Sequence, residues 1–139
     1  MNLIQNNLIN FRGYKNVAES KLTDEEKTRK AVSNALKYLK ENGERIIPED
    51  GQFNRKTVLF DIEGTRNEGR FSVEYFPDET KKQRALTAGV NRKGKDAVTF
   101  NFLKSGTKKE ILEFLNKKGL EDELFATVKD LSDSVDKKY

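Results

Sequence analysis

The sequence lacks cysteine, histidine and tryptophan, and its 139 residues include only two prolines and one methionine. Without cysteine and histidine the chain cannot form a disulfide, a cysteine nucleophile or a Ser-His-Asp triad. It also lacks the usual ligands of zinc, haem and iron–sulfur clusters. We therefore expect no cofactor and no metal site, and any chemistry would fall to carboxylate, lysine, arginine, tyrosine and hydroxyl groups.

Long hydrophobic runs are absent too, since 36% of the residues are charged and 35% are hydrophobic. Nine phenylalanines and four tyrosines nevertheless favour a folded domain over a disordered chain. The first residues show neither the basic region of a signal peptide nor an apolar membrane span. We predict a single cytoplasmic domain over residues 1–139, of bacterial or phage origin. Residues 1–22 are ambiguous between helix and strand, and residues 136–139 form a frayed tail.

The order of helical and strand patterns predicts an α+β fold. Thr23-Asp24-Glu25-Glu26 is a capping box that begins a helix, and Gly43 is expected to end it. Four alternating segments at 57–62, 70–76, 85–90 and 97–103 are joined by short turns, which is typical of an antiparallel β-meander. Two further helices follow, the first begun by a second capping box at Thr107. We expect all three helices to cover one face of the sheet.

The predicted core combines the apolar faces of these elements. Its members are Val32, Leu36, Leu39, Val58, Phe60, Phe71, Val73, Tyr75, Val98, Phe100, Phe102, Leu112, Leu115, Leu124 and Val128. In this assignment the outward face of the sheet is poor in aromatic residues, with Phe76 alone at its edge. Because sheets that bind single strands usually stack bases on exposed aromatic rings, this prediction argues against a stacking platform.

Positive charge is concentrated in the second half of the chain. Residues 81–118 carry eleven bases and three acids, a net charge of +8, whereas the whole chain carries +4. The meander gathers these bases at the rim of the sheet, where they would attract a polyanion. The predicted anion-binding residues are Lys81, Lys82, Arg84, Arg92, Lys93, Lys95, Lys104, Ser105, Gly106, Thr107, Lys108 and Lys109.

The turn Ser105-Gly106-Thr107 and the two lysines after it break a local rule. Lys108 and Lys109 lie in the first turn of a helix, where the macrodipole disfavours cations. A helix N-terminus with two lysines resembles a phosphate cradle in its chemistry, although the spacing is not that of a P-loop. We therefore predict an anion site here, and we expect Lys108→Glu and Lys109→Glu each to stabilise the isolated fold.

No residues form a catalytic signature. Asp61 and Glu63 share one face of a strand and could bind a divalent cation, but such a pair is more often the solvated side of a strand. The sequence thus predicts a protein that is not an enzyme and that binds an anionic macromolecule, most readily nucleic acid, through the rim at 81–109. One alternative is a protein–protein inhibitor or adaptor of the immunity, antitoxin or anti-defence type, whose partner offers an acidic surface. A second is a ribonuclease-like toxin without histidine.

Overall fold

A computed structural model of the chain describes residues 22–49, 51–62, 64–77, 82–95 and 98–139. The side chains of Lys82 and Val98, and the predictions for residues 1–21 and Lys81, lie outside this description. The elements are α1 (Asp24–Ile46), β1 (Asn54–Asp61), β2 (Asn67–Pro77), β3 (Lys82–Arg92), β4 (Val98–Gly106), α2 (Lys108–Leu115) and α3 (Leu120–Lys138).

Helix α1 begins as the sequence predicts but runs past its expected end. The Thr23 hydroxyl accepts the Glu26 amide at 3.1 Å, and the Glu26 carboxylate accepts the Thr23 amide at 2.9 Å. The expected stop at Gly43 is wrong, because the helix continues to Ile46. Gly43 is instead buried where α2 approaches α1, and a Cβ atom there would lie 2.8 Å from a Leu112 methyl group.

The four strands form one antiparallel sheet in the order β1-β2-β3-β4, so the predicted meander is confirmed. Strand β2 is central and fully regular, pairing Phe71 with Val58 on one side and with Ala88 on the other. Helix α3 contacts β2, β3 and β4, while α1 contacts β1 and α3, and α2 contacts β4. The helices therefore cover one face, here called the inner face, and leave the other, the open face, without a covering element among the described residues.

Most of the predicted core is confirmed. Phe71, Val73 and Tyr75 are each 1% exposed, and Phe71 and Val73 belong to one cluster with the apolar residues of α1 and α3. Val58, Phe60 and Leu112 are half-buried and pack against the same cluster. Burial of a side chain such as Phe71 contributes about 1.5–3 kcal/mol, so these central positions dominate the stability of the sheet.

The prediction that Phe100 and Phe102 belong to the core is wrong. Their side chains are 54% and 69% exposed. The cause is a β-bulge: Lys104 pairs with Leu86, but Phe102 pairs with Thr87, so Leu103 is an extra residue. An uninterrupted register would place Phe102 opposite buried Ala88 on the inner face. The bulge moves each residue before it to the other face of the sheet, since side chains alternate with a period of two.

Candidate functional site

The predicted basic rim is not one continuous accessible surface, as Arg84 shows. Its side chain is buried, and its Nε donates a hydrogen bond to the Pro48 carbonyl at 2.7 Å. The guanidinium carbon also lies 5.0 Å from the centre of the Tyr75 ring. Arg84 therefore anchors the loop after α1 from inside the fold, and its charge is not available to a ligand at the surface.

Two more predicted residues are held by carboxylates of the protein itself. The Arg92 guanidinium donates to Asp136 at 2.9 Å, which ties the end of β3 to the last turns of α3. The Lys93 ammonium group forms an ion pair with Asp61 at the end of β1. Both cations thus have structural partners that would compete with a bound anion.

The turn at Ser105, Gly106 and Thr107 is closed by a capping box. The Thr107 hydroxyl accepts the Glu110 amide at 3.2 Å, and the Glu110 carboxylate accepts the Thr107 amide at 2.9 Å. The pKa of Glu110 is held below its ordinary value. The larger cause is the hydrogen bond from the Thr107 backbone, and the smaller is the side-chain interaction with Thr107. The position expected for a bound anion is therefore occupied by a carboxylate of the chain.

Lys108 does not face that position either. Its ammonium group donates to Glu49 at 2.6 Å and to the Glu44 carbonyl at 2.8 Å, and the Glu44 carboxylate lies 3.5 Å away. The hydrogen bond to Glu49 is the main reason why the pKa of Lys108 is raised. The repulsion between two uncompensated lysines, on which the anion site was predicted, does not exist here.

The remaining described cations of the predicted set lie within or close to the two ends of β4. Lys95 is exposed in the turn before β4, with its ammonium group 5.8 Å from the centre of the Tyr139 ring. Lys104 is half-buried in the last part of β4, and Lys109 is exposed in α2. Strand β4 therefore runs between positive charges.

The bulge places two aromatic rings between those charges, on the open face. Phe100 and Phe102 lie two residues apart on β4, with ring centres 6.1 Å apart and planes inclined by 78°. Phe102 is in register with Thr87, and Phe100 with Gly89. The expectation of an open face with no aromatic ring except Phe76 is therefore wrong.

Phe100 and Arg70 pack against each other over Gly89 on the open face. A Cβ atom built on Gly89 would lie 3.3 Å from Cγ of Arg70 and 3.5 Å from Cβ of Phe100, so the two side chains fill the space above the glycine. The Arg70 guanidinium has one hydrogen bond among the described residues, to Asn91 at the long distance of 3.5 Å. Its Nε is buried without a partner in this part of the chain. Among the described residues, the Arg70 guanidinium thus has a single, long hydrogen bond, and its Nε is shielded from solvent.

A second apolar group lies toward the β1 side of the open face. The rings of Phe53 and Phe76 pack with their centres 5.4 Å apart, and both side chains are about half exposed. Leu59, opposite Arg70 on β1, is 60% exposed. We call the set of Phe53, Leu59, Arg70, Phe76, Phe100 and Phe102 the aromatic face.

The sequence does not predict the aromatic face, because the alternation of apolar and polar residues over 98–102 is the same whether Phe100 and Phe102 point to the inner or to the open face. Lys104 gives no signal of the bulge, because it lies opposite Leu86 on the inner side whether or not Leu103 is an extra residue. The acidic pair Asp61 and Glu63 gains no support as a cation site. Asp61 is paired with Lys93, Glu63 lies outside the described residues, and no group of three acidic side chains in the described ranges could hold a metal ion.

No family model, curated protein or solved structure matches this chain. Its function must therefore be argued from the site itself. None of the helices in the described residues is long and apolar enough to cross a membrane.

Proposed function

We propose that the protein binds single-stranded nucleic acid on the β4 side of the aromatic face, at Arg70, Phe100 and Phe102, and that it is not an enzyme. The observation that carries the proposal is the exposure of Phe100 and Phe102 beside the guanidinium group of Arg70. Every base has a π-face, so stacking on such rings is strong and tolerates many sequences. Arginine in turn offers a planar fork of donors that suits a phosphate group.

The geometry favours a strand that runs along β4. Bases would stack on the exposed rings of Phe100 and Phe102. Phosphates would be neutralised by Arg70 beside Phe100 and by Lys95 and Lys109 beyond the two ends of β4. The rings are inclined by 78°, so each offers a face to a separate base and no base is held between the two. The expected complex is thus sensitive to salt and weakly specific for sequence.

Fluorescence anisotropy with labelled oligonucleotides of deoxythymidine and of uridine tests the proposal. Phe100→Ala and Phe102→Ala should each weaken binding by about 10- to 100-fold, since stacking contributes about 1–3 kcal/mol per base. Phe53→Ala is the matched control, because it removes an equally exposed ring outside the β4 pair. Arg70→Gln should weaken binding and lower the salt slope by about 0.7, the value for one phosphate on a single strand.

Three results would contradict this assignment. The first is that the wild-type protein binds no single strand at low salt. The second is that the Phe100→Ala and Phe102→Ala proteins bind single strands as tightly as the Phe53→Ala protein does. A preference for duplex over single strands would likewise exclude base stacking as the mode of binding.

A protein partner is the second candidate, and the Phe53–Phe76 pair with Leu59 is the observation that favours it. Exposed aliphatic and aromatic groups in one patch often mark protein–protein interfaces. An inhibitor or adaptor of the immunity, antitoxin or anti-defence type would use the whole aromatic face, so Phe53→Ala would then weaken binding as much as Phe102→Ala. Capture from native lysate, with and without nuclease, separates the candidates: one stoichiometric protein that resists nuclease supports the partner.

A further inference from the structure

Strand β1 leaves one edge of the sheet without a neighbour among the described residues. The sheet order makes β1 and β4 the two edge strands. The bulge at Leu103 interrupts β4, and bulges turn an edge away from further pairing. By contrast, β1 pairs with β2 over eight residues with no shift in register. Its backbone groups on the other side are thus regularly placed to accept another strand.

The side chains of β1 complement a second copy of the same strand. In an antiparallel pair, residues opposite each other point to the same face of the sheet. The inner faces of the two copies therefore lie on one side of the combined sheet only if odd-numbered residues of β1 oppose odd-numbered residues. In the register centred on Val58, Arg55 of each copy lies opposite Asp61 of the other. Thr57 then opposes Leu59, and Lys56 opposes Phe60. Opposite charges meet at both ends, and no like charges face each other.

Helix α1 leaves space for this pairing. A groove of about 500 Å³ runs between α1 and β1, and the small side chains of Ala31 and Ala35 line its helical wall. Asp61 is 61% exposed although it is paired with Lys93, so its carboxylate can accept a second cation. Leu59, which is 60% exposed, would come to lie beside the dimer axis.

We propose that the protein forms a symmetric dimer through antiparallel pairing of β1 with β1. The product is one eight-stranded sheet in which the two aromatic faces lie on the same side. The inference is independent of nucleic-acid binding, because it uses the edge of the sheet and not the rings on β4.

A charge exchange at β1 tests the register. Arg55→Glu should dissociate the dimer, since it places a glutamate opposite Asp61 at both ends of the strand pair. Asp61→Arg should do the same by opposing two arginines at each end. Mixed in equal amounts, the two proteins should form a heterodimer, because every opposed pair is then of opposite sign. Arg66→Glu is the matched control: it makes the same change at an exposed position in the β1–β2 turn and should leave the dimer intact. Sedimentation velocity gives the masses, and circular dichroism verifies that each variant is folded.

Cross-linking gives a second test that needs no charge change. The chain has no cysteine, so Val58→Cys introduces a single thiol. In the proposed register the two copies of residue 58 are opposite each other, and mild oxidation should join them. Leu59→Cys should not cross-link, because its two copies lie diagonally about 7–8 Å apart, beyond the reach of a disulfide. The proposal would be overturned if the wild-type protein stayed monomeric at a concentration of about 100 µM. Cross-linking at residue 59 rather than at residue 58 would overturn it as well.

Discussion

Lys108 and Lys109 are adjacent at the start of α2, yet their ammonium groups have different surroundings. The Lys108 side chain is only 18% exposed, and its ammonium group donates hydrogen bonds to the Glu44 carbonyl and the Glu49 carboxylate. The Lys109 side chain is exposed. The two glutamates are themselves about 80% exposed, which limits the strength of the ion pairs through solvent screening. Neighbours in sequence thus differ in function: one lysine joins α2 to the end of α1, and the other is available to a ligand.

We predict opposite effects of the same substitution at these positions. Lys108→Glu should lower the free energy of unfolding by about 1–2 kcal/mol, because it gathers three carboxylates and removes the donor to the Glu44 carbonyl. Lys109→Glu should raise it by about 0.3–1 kcal/mol, since an acid suits the start of a helix. Urea unfolding at neutral pH measures both. Equal stability of the two variants would show that the contacts of Lys108 contribute nothing, as the sequence alone predicts.

At the scale of elements, the two capping boxes make stability depend on pH. Backbone amides of Thr23 and Thr107 donate to Glu26 and Glu110, and these hydrogen bonds lower the pKa of both carboxyls from 4.5. A carboxyl whose folded pKa lies below its unfolded pKa contributes stability that is complete above the unfolded value. That stability is lost as the pH falls through the folded pKa.

The matching prediction concerns acid unfolding. A protein with Glu26→Gln and Glu110→Gln keeps side chains that reach back to the cap residue but no longer titrate. Its urea midpoint should therefore fall less steeply than that of wild type between about pH 5 and pH 3. Glu113→Gln, at an exposed position of α2, is the control and should leave the slope unchanged. An unaltered slope in the double variant would mean that the capping carboxylates do not govern acid stability.

The exposure of Phe100 and Phe102 on the open face can be tested by measurements of stability as well as of binding. Phe100→Ala and Phe102→Ala should each change the free energy of unfolding by less than about 1 kcal/mol, because both rings are more than half exposed. Phe71→Ala, on the buried face of β2, should cost about 3–5 kcal/mol. Thermal and urea unfolding of the three proteins make the comparison. A large loss at Phe100 or Phe102 would restore the inward phase that simple alternation predicts.

These elements also show how far the sequence predicts the structure. Strand β2 is predictable because Phe71, Val73 and Tyr75 alternate with polar residues and no bulge interrupts them. Strand β4 is not, because a single extra residue at Leu103 reverses its faces and leaves the alternation of 98–102 unchanged. Gly43 likewise reads as a helix end in sequence, whereas in the structure it allows α2 to approach α1.

At the scale of the whole molecule, a cluster of charge in sequence is not a cluster in space. The net charge of +8 over residues 81–118 includes buried Arg84 and the paired side chains of Arg92, Lys93 and Lys108. Net charge therefore predicts general attraction to a polyanion but not the place where it binds. The proposed site depends on the bulge and on the packing of Arg70 beside Phe100, and both are products of tertiary register that composition cannot reveal.

The position of α3 after the sheet in the chain has a consequence for synthesis. All four strands leave the ribosome before α3, whose Leu124, Val128 and Leu131 help to cover the inner face. The ion pair of Arg29 with Asp122 joins α1 to α3 across 93 residues and so forms only after the sheet has been made. Until then Phe71 and Val73 lack the part of their cover that α3 provides, and a nascent chain in this state is prone to aggregate. Substitutions that weaken α3 should therefore reduce the yield of soluble protein more than they reduce the stability of molecules that have already folded.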